Sequence, residues 1–336
     1  MTHSFACVAI GGTKCTVALA SSEDDEVRWL GRREVPTHGG GEVMVEELST
    51  LLAEMLSHTD PRVTRIGVVC GGPLDERKGL VLSPPNLPGW DDFDIVTPFE
   101  ERFAAPARLM NDASAGVLAE WAWGAARDSE TSVFLTMGTG MGAGLIVSGR
   151  FHGGVSGLAG EVGHWRLAPD GPWGFGKFGS FEGFCSGGGI ALWAQERARA
   201  ALADGRGTSL ATTEADIAEI TARQVGDAAR SGDAVALELW RDVGDRLGST
   251  LALFVDLLNP EVIVIGGIFP RQEELLRPSL DAALRREALA TSLAACQVRP
   301  ALLGELISDY SALAVAVVGE SFDDTSRRLS QAVQRP

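Results

Sequence analysis

The chain has 336 residues, 45% of them hydrophobic, and carries 29 Lys+Arg against 45 Asp+Glu for a formal net charge of −16. That length and apolar content suffice for two domains, or one large two-lobed unit, with real cores. The acidic balance, with no clustered Lys/Arg run, argues against nucleic acid as a partner.

In chain order, FACVAI (5–10) is a short apolar run ending in Gly11-Gly12-Thr13-Lys14, and CTVALAS follows: strand, tight glycine turn, strand. VRWLGRREV supplies a third strand. EVMVEELSTLLAEML (42–56) has apolar spacings of three and four and predicts a helix. RIGVVCGG is a buried strand, LVLSPPNLPGW a proline-rich loop, and TPFEERF a short helix with Pro98 near its start. ARLMNDASAGVLAEWAWGAA runs from strand to helix, with Asn111-Asp112 at the junction. SVFLTMGTGMGAGLIVSGRF (132–151) is again strand, glycine turn, strand. Helices are expected over ALWAQERARAALA and, two or three of them, over 213–257; VIVIGG is a strand, RQEELLRPSLDAALRREAL and YSALAVAVVGESF are helices, and the last dozen residues are a tail. Two strand–glycine–strand hairpins, each opening one half of the chain, predict a duplicated α/β fold with a cleft between the lobes.

Cys7, Cys15, Cys70, Cys185 and Cys296 are scattered and form no CxxC, which predicts free thiols in a reducing compartment. The N-terminus has no basic segment followed by an apolar one, so a cytoplasmic location without a signal peptide is expected. The longest apolar stretch is broken by Asp256, Asn259, Pro260 and Glu261, so no membrane span is expected. Lysine occurs only at Lys14, Lys78 and Lys177; arginine supplies the other basic side chains.

GTGMGA (138–143) matches a dinucleotide fingerprint, but GLIVSGRF, a strand, follows where a helix should, which speaks against a nicotinamide-dependent oxidoreductase. A plain hairpin turn is the bland reading. Two such turns, each with a threonine, instead suggest a two-sided phosphate clamp, because glycine lets backbone N–H groups approach phosphate oxygens. Asp112 reads either as a helix N-cap or as a carboxylate kept ionised by the helix dipole and fit to accept a hydroxyl proton; the two are compatible. Glu161 and His164 are weak as a metal pair, and Asn86 and Gly266-Gly267 are unremarkable alone.

Their order is specific. GGTK, GGPLD…LSPPNLPGW, NDASAG, GTGMGAG, AGEVGH, FEGFCSGGG and NPEVIVIGG, over about residues 5–320, resemble the ROK family of sugar kinases and sugar-responsive repressors. The resemblance implies an α/β, two-lobed actin-like ATPase (ribonuclease H-like) fold with an interlobe active-site cleft. It implies ATP- and Mg²⁺-dependent phosphorylation of a hexose or N-acetylhexosamine hydroxyl, and a homodimer. The expected layout is a small lobe over 1–113, a large lobe over 114–307, a C-terminal helix over 308–325 returning to the small lobe, and a tail over 326–336. Carried over by position, Asp112 matches the general base, and Asn86, Asn111, Glu161, His164 and Glu182 match sugar-hydroxyl contacts. Gly71 and Gly72 match backbone contacts to the sugar. Gly12, Thr13 and Lys14, with Gly138, Thr139 and Gly140, match the phosphate loops, and Gly266 and Gly267 a turn near the adenosine. Carboxylates and amides suit a ring of neutral hydroxyls, and phosphoryl transfer needs positioning, a proton acceptor and charge neutralisation.

Two positions depart from the family pattern. Where an acidic residue usually stands two places before the first glycine pair, this chain has Ala9. This motivates an alternative, a catalytically weak or inactive sugar-binding or regulatory protein on the same fold. With GGTK starting eleven residues into the chain, no preceding helix-turn-helix is expected. The second departure is in GPWGFGKFGSFEGFC. The resemblance implies three cysteines that join the GH histidine on a structural zinc, and Trp173, Phe175 and Ser180 occupy those positions. No structural zinc is expected; Trp173 and Phe175, with Phe178 or Phe181, are expected to hold the loop by burial. The sugar, and a phosphate donor such as polyphosphate in place of ATP, stay open.

Overall fold

Each glycine turn sits inside a sheet built to the same plan. The structure, a computed structural model of the chain, describes residues 3–23, 26–57 and 62–318. The expected tail over 326–336, and 319–325 of the expected closing helix, lie outside the described residues.

The first sheet has five strands in the order Glu26–Pro36, Lys14–Glu23, His3–Ile10, Arg65–Cys70, Ala107–Asn111. The first three pair antiparallel and the last three parallel. The second also has five, Arg150–Phe151, Met141–Val147, Ser132–Met137, Val262–Ile265, Gln297–Pro300, with parallel pairing on both sides of Val262–Ile265. The duplication expected from the two hairpins is thus present in the strand order. Apolar runs such as VIVI, buried at every position, are what a strand covered on both faces needs.

Helix Gly41–Leu56 buries Met44, Val45, Leu48 and Leu52, the three–four spacing of its sequence. Helix Ala234–Leu258 starts at Asp233, whose side chain accepts from the Ala236 N–H, and stops at Asn259 in the left-handed conformation. Helix Ile307–Val318 packs on helix Asp112–Trp123 and strands Arg65–Cys70 and His3–Ile10. Glu120, fully buried in helix Asp112–Trp123, accepts from the N–H groups of Ala125 (2.6 Å), Leu302 (3.2 Å) and Leu303 (3.0 Å) and so ties this helix to the segment entering the last one.

The chain divides into two compact units, unit 1 with 1–130, 144–159 and 302–336, and unit 2 with 131–143 and 160–301. Among the described residues no helix is long and apolar enough to cross a membrane.

Candidate functional site

Unit 1 carries eight of the expected site residues: Gly12, Thr13, Lys14, Gly71, Gly72, Asn86, Asn111 and Asp112. The first glycine turn closes through the Gly11 N–H on the Lys14 carbonyl (3.0 Å), while Thr37 donates its hydroxyl to the Gly11 carbonyl (2.6 Å) and its N–H to the Thr13 carbonyl (3.0 Å). A Cβ on Gly12 would stand 2.9 Å from the Asn86 Cβ, so turn and proline-rich loop meet backbone to side chain. Leu87 and Trp90, both buried, anchor that loop in the core and leave Asn86 exposed. The Lys14 ammonium donates to Glu34 (2.9 Å), which also accepts from Arg32.

The strand Ala107–Asn111 hands over to helix Asp112–Trp123 at the expected junction. The cap is Asn111 rather than Asp112: its side-chain oxygen accepts from the N–H groups of Ala113 (2.9 Å) and Ser114 (3.4 Å). Asp112 is exposed in the first turn, where the helix dipole favours the ionised carboxylate. A Cβ on Gly72 would lie 3.4 Å from the Asn111 amide nitrogen, whereas Gly71 faces open space. One contributor had no sequence signal. The Glu76 carboxylate accepts from the Asn111 N–H (2.8 Å), and burial pushes its carboxyl above the usual range. Glu76 lines a cavity of about 1520 Å³ that contains none of the eight residues.

Unit 2 carries Gly138, Thr139, Gly140, Glu161, His164, Glu182, Gly266 and Gly267. The second glycine turn closes through the Gly138 N–H on the Gly140 carbonyl (3.0 Å). The Gly187 N–H, at the start of helix Gly187–Ala203, donates to the Gly138 carbonyl (2.8 Å), and the Ile268 N–H to the Met137 carbonyl (2.7 Å). Gly267, at φ +70°, must be glycine, since a Cβ there would run into the Met137 carbonyl. The expected adenosine turn therefore adjoins the expected phosphate turn. The glycines 187–189 join them, with Ser186 capping their helix by accepting from the Gly189 N–H (3.0 Å). A helix start opened by glycines beside a glycine turn favours an anion. The SGGG run was the legible signal for these residues, which the role assignment from sequence omitted.

Glu161, exposed, precedes the short 3-10 turn Val162–His164. Glu182 lies in helix Phe181–Cys185, capped by Ser180. Its carboxylate accepts from the Met141 N–H (3.1 Å), just past the glycine turn. Burial pushes the Glu182 carboxyl up, while the Met141 N–H and nearby His164 pull the other way. Glu182 thus ties its helix to the second glycine turn.

The sequence model of the ROK family matches residues 5–314. The chain belongs to the ROK family. It is 32% identical over 280 residues to a glucokinase of Halalkalibacterium halodurans, covering 81% of this chain and 82% of that one. It is also 30% identical over 225 residues to the DNA-binding transcriptional dual regulator NagC of Escherichia coli, covering 67% of this chain and 53% of the regulator. Among solved structures, a ROK family glucokinase from Streptomyces griseus, in complex with glucose and AMPPNP, superposes with a TM-score of 0.76 at 28% identity, over 95% of this chain and 100% of that one. The fold is the α/β, actin-like ATPase fold of ROK sugar kinases.

The ROK zinc pattern does not fit this loop. Trp173, Phe175 and Ser180 offer no thiolate, and the Ser180 hydroxyl is engaged with the Gly174 carbonyl and the Gly183 N–H. Cys185 is fully buried, its Sγ turned to the Val243 carbonyl. The expectation that burial of Trp173 and Phe175 holds the loop fails: they are 48% and 44% exposed, and Phe178 is 56% exposed. Phe181, with no exposure, is the buried anchor. Trp173 and Phe178 face each other across the hairpin Trp173–Gly174/Lys177–Phe178 in an edge-to-face pair at 4.9 Å.

Proposed function

We propose that this ROK protein is a sugar kinase that transfers the γ-phosphoryl group of ATP to a hydroxyl of a hexose or N-acetylhexosamine. The observation that carries the reading is the Asn111–Asp112 junction. Asn111 supplies the helix cap, and the next residue presents an exposed carboxylate at a helix N-terminus, suited to take a hydroxyl proton. The sugar oxygen bonds to γ-phosphorus, the bond from phosphorus to the ADP oxygen breaks, and the hydroxyl proton passes to Asp112. Asn86, Asn111, Glu161, His164 and Glu182 hold the remaining hydroxyls, with backbone contacts at Gly71 and Gly72. The turns at Gly12–Lys14 and Gly138–Gly140 meet the phosphates, and Gly266-Gly267 the adenosine end.

Magnesium bound with ATP would neutralise phosphate charge. Asp112 is the acidic member of the unit 1 set that would hold it, with phosphate oxygens and water completing the shell, because Ala9 contributes a buried methyl and no oxygen. A homodimer and a cytoplasmic location belong to the same reading.

The test is a sugar-phosphate formation assay with Mg²⁺ and ATP over glucose, mannose, fructose, N-acetylglucosamine and N-acetylmannosamine, with polyphosphate as an alternative donor. At least one sugar is phosphorylated. Ala9 favours a second reading, a sugar-binding or regulatory protein without kinase activity. Measurable sugar binding with no sugar phosphate formed from either donor selects it.

A further inference from the structure

Phe175 stands where its backbone is uncomfortable. It sits at φ +46°, in the left-handed region that favours Gly or Asn, followed by Gly176 at φ +76°. Two successive positive φ values make the tight two-residue turn of the Trp173–Phe178 hairpin, a turn for which Asn-Gly or Gly-Gly is the usual chemistry. A phenylalanine held there points to a task for its ring. The ring lies against the His164 imidazole, with centroids 4.0 Å apart and planes inclined by 57°.

Lys177 adds a second tie. It is one of three lysines in the chain, and its ammonium donates to the His164 carbonyl (2.9 Å), the partner it has among the described residues. An ammonium on a main-chain carbonyl is a charge-assisted hydrogen bond. The hairpin thus grips His164 at both ends of the residue, ring and carbonyl. Beneath it, Ser180 bonds the Gly174 carbonyl, and Phe181 is buried, so the hairpin's base is fixed while its tip reaches His164.

We propose that this hairpin is a metal-free latch: the Phe175 ring and the Lys177 ammonium position His164 in place of a zinc. Phe175 and Lys177 are positioning residues that act through His164. The consequence for sugar binding rests on the kinase reading; the geometry of the latch does not.

The experiment uses the full chain and the variants Phe175→Gly, Lys177→Met, Lys177→Arg and Trp173→Ala. Phe175→Gly relieves the backbone at a positive φ, so the protein folds with an undiminished Tm while the ring is lost. Proton NMR of the histidine Hε1 signals reads His164 directly without sugar or nucleotide, and a His164→Asn variant assigns it among the five histidines. Ring-current shielding of His164 disappears in Phe175→Gly and persists in Trp173→Ala. Hydrogen exchange of the amides over 161–182 accelerates in Lys177→Met and not in Lys177→Arg.

With the best sugar of the panel, Phe175→Gly and Lys177→Met raise KM about tenfold or more with kcat within about threefold, and Lys177→Arg restores most of the loss. An unmoved His164 signal in Phe175→Gly, or one zinc per purified chain, overturns the latch even if no sugar is a substrate. A moved signal with unchanged sugar KM overturns the positioning role alone. Failure of every sugar to bind wild type, with the NMR and exchange results as expected, condemns the kinase reading and leaves the latch standing.

Discussion

Each unit presents a glycine turn and a carboxylate, and the two pairs are held in opposite ways. In unit 1 the turn is braced by Thr37 from the neighbouring strand's end, and Asp112 is exposed on a helix that Asn111 caps, its carboxylate accepting from the N–H of the next residue, Ala113 (2.8 Å). In unit 2 the turn is braced by the N–H of Gly187, and Glu182 is partly buried and accepts from the N–H of Met141 in a different segment. A carboxylate that takes up and gives back a proton must keep access to the reacting hydroxyl. One that ties a helix to a turn gains from a fixed donor and partial burial. Under the proposed kinase reading, the contrast fits chemistry at Asp112 and shape at Glu182.

The largest expected effect breaks the contrast on the chemical side. Asp112→Asn lowers kcat about 10²–10⁴-fold, the usual span for a lost general base. The sugar dissociation constant, read by calorimetry, stays within about threefold, and Tm is unchanged within about 2 °C. Turnover near wild type removes Asp112 from the base role.

The turns themselves come next. A Cβ at Gly12 meets the Asn86 Cβ at 2.9 Å and its carbonyl oxygen at 3.0 Å. Gly12→Ala therefore costs about 1–3 kcal/mol of stability through overpacking and displaces Asn86, raising the sugar KM. At Gly138 the same methyl finds only the Thr136 Oγ1, at 3.6 Å, an ordinary contact. Gly138→Ala keeps Tm within about 2 °C. Where close backbone approach to phosphate matters, it raises the ATP KM about tenfold. A loss of stability in Gly138→Ala with an unchanged ATP KM reverses the assignment of that turn.

Much of this was legible from sequence, for physical reasons. Continuous apolar runs ending at turn residues mark strands covered on both faces, so both hairpins and the Ala107–Asn111 strand fall where expected. The order of turn residues carries the family. What stayed illegible depends on contacts between distant segments. Asn111 rather than Asp112 caps the helix because backbone geometry, not residue type, chooses between two adjacent cap formers. Glu120 and Glu76 are carboxylates partnered by backbone N–H groups that no local pattern announces. Trp173 and Phe178 read as buried anchors because they are aromatic, yet a two-residue hairpin pairs them on its exposed face.

A smaller effect tests the shape side. Burial raises the folded-state pKa of Glu182 above its unfolded value. Such a group's contribution to stability is fully present below the unfolded carboxyl pKa, about 4.3, and is lost as pH rises through the raised value. Glutamine does not titrate and can still accept from the Met141 N–H. The Tm of Glu182→Gln minus that of wild type therefore increases from pH 4 towards pH 7, by about 1–3 °C once solvent screening of a partly buried group is allowed for. A difference that is flat or falls with pH contradicts the burial account of Glu182.

The smallest effect concerns Lys14, where sequence and structure pull apart. Position assigns its ammonium to phosphate, while the structure gives that ammonium to Glu34, which Arg32 also holds. The pair is 51% and 38% exposed, so it is screened and contributes little to stability. Lys14→Ala shifts Tm by no more than about 2 °C. The ATP KM separates the roles. A rise of about tenfold or more means that the ammonium leaves Glu34 for phosphate when nucleotide binds, as expected for a charge-assisted contact. A rise below about twofold means that the first turn meets phosphate through backbone N–H groups alone, and the two glycine turns then act alike despite their different braces.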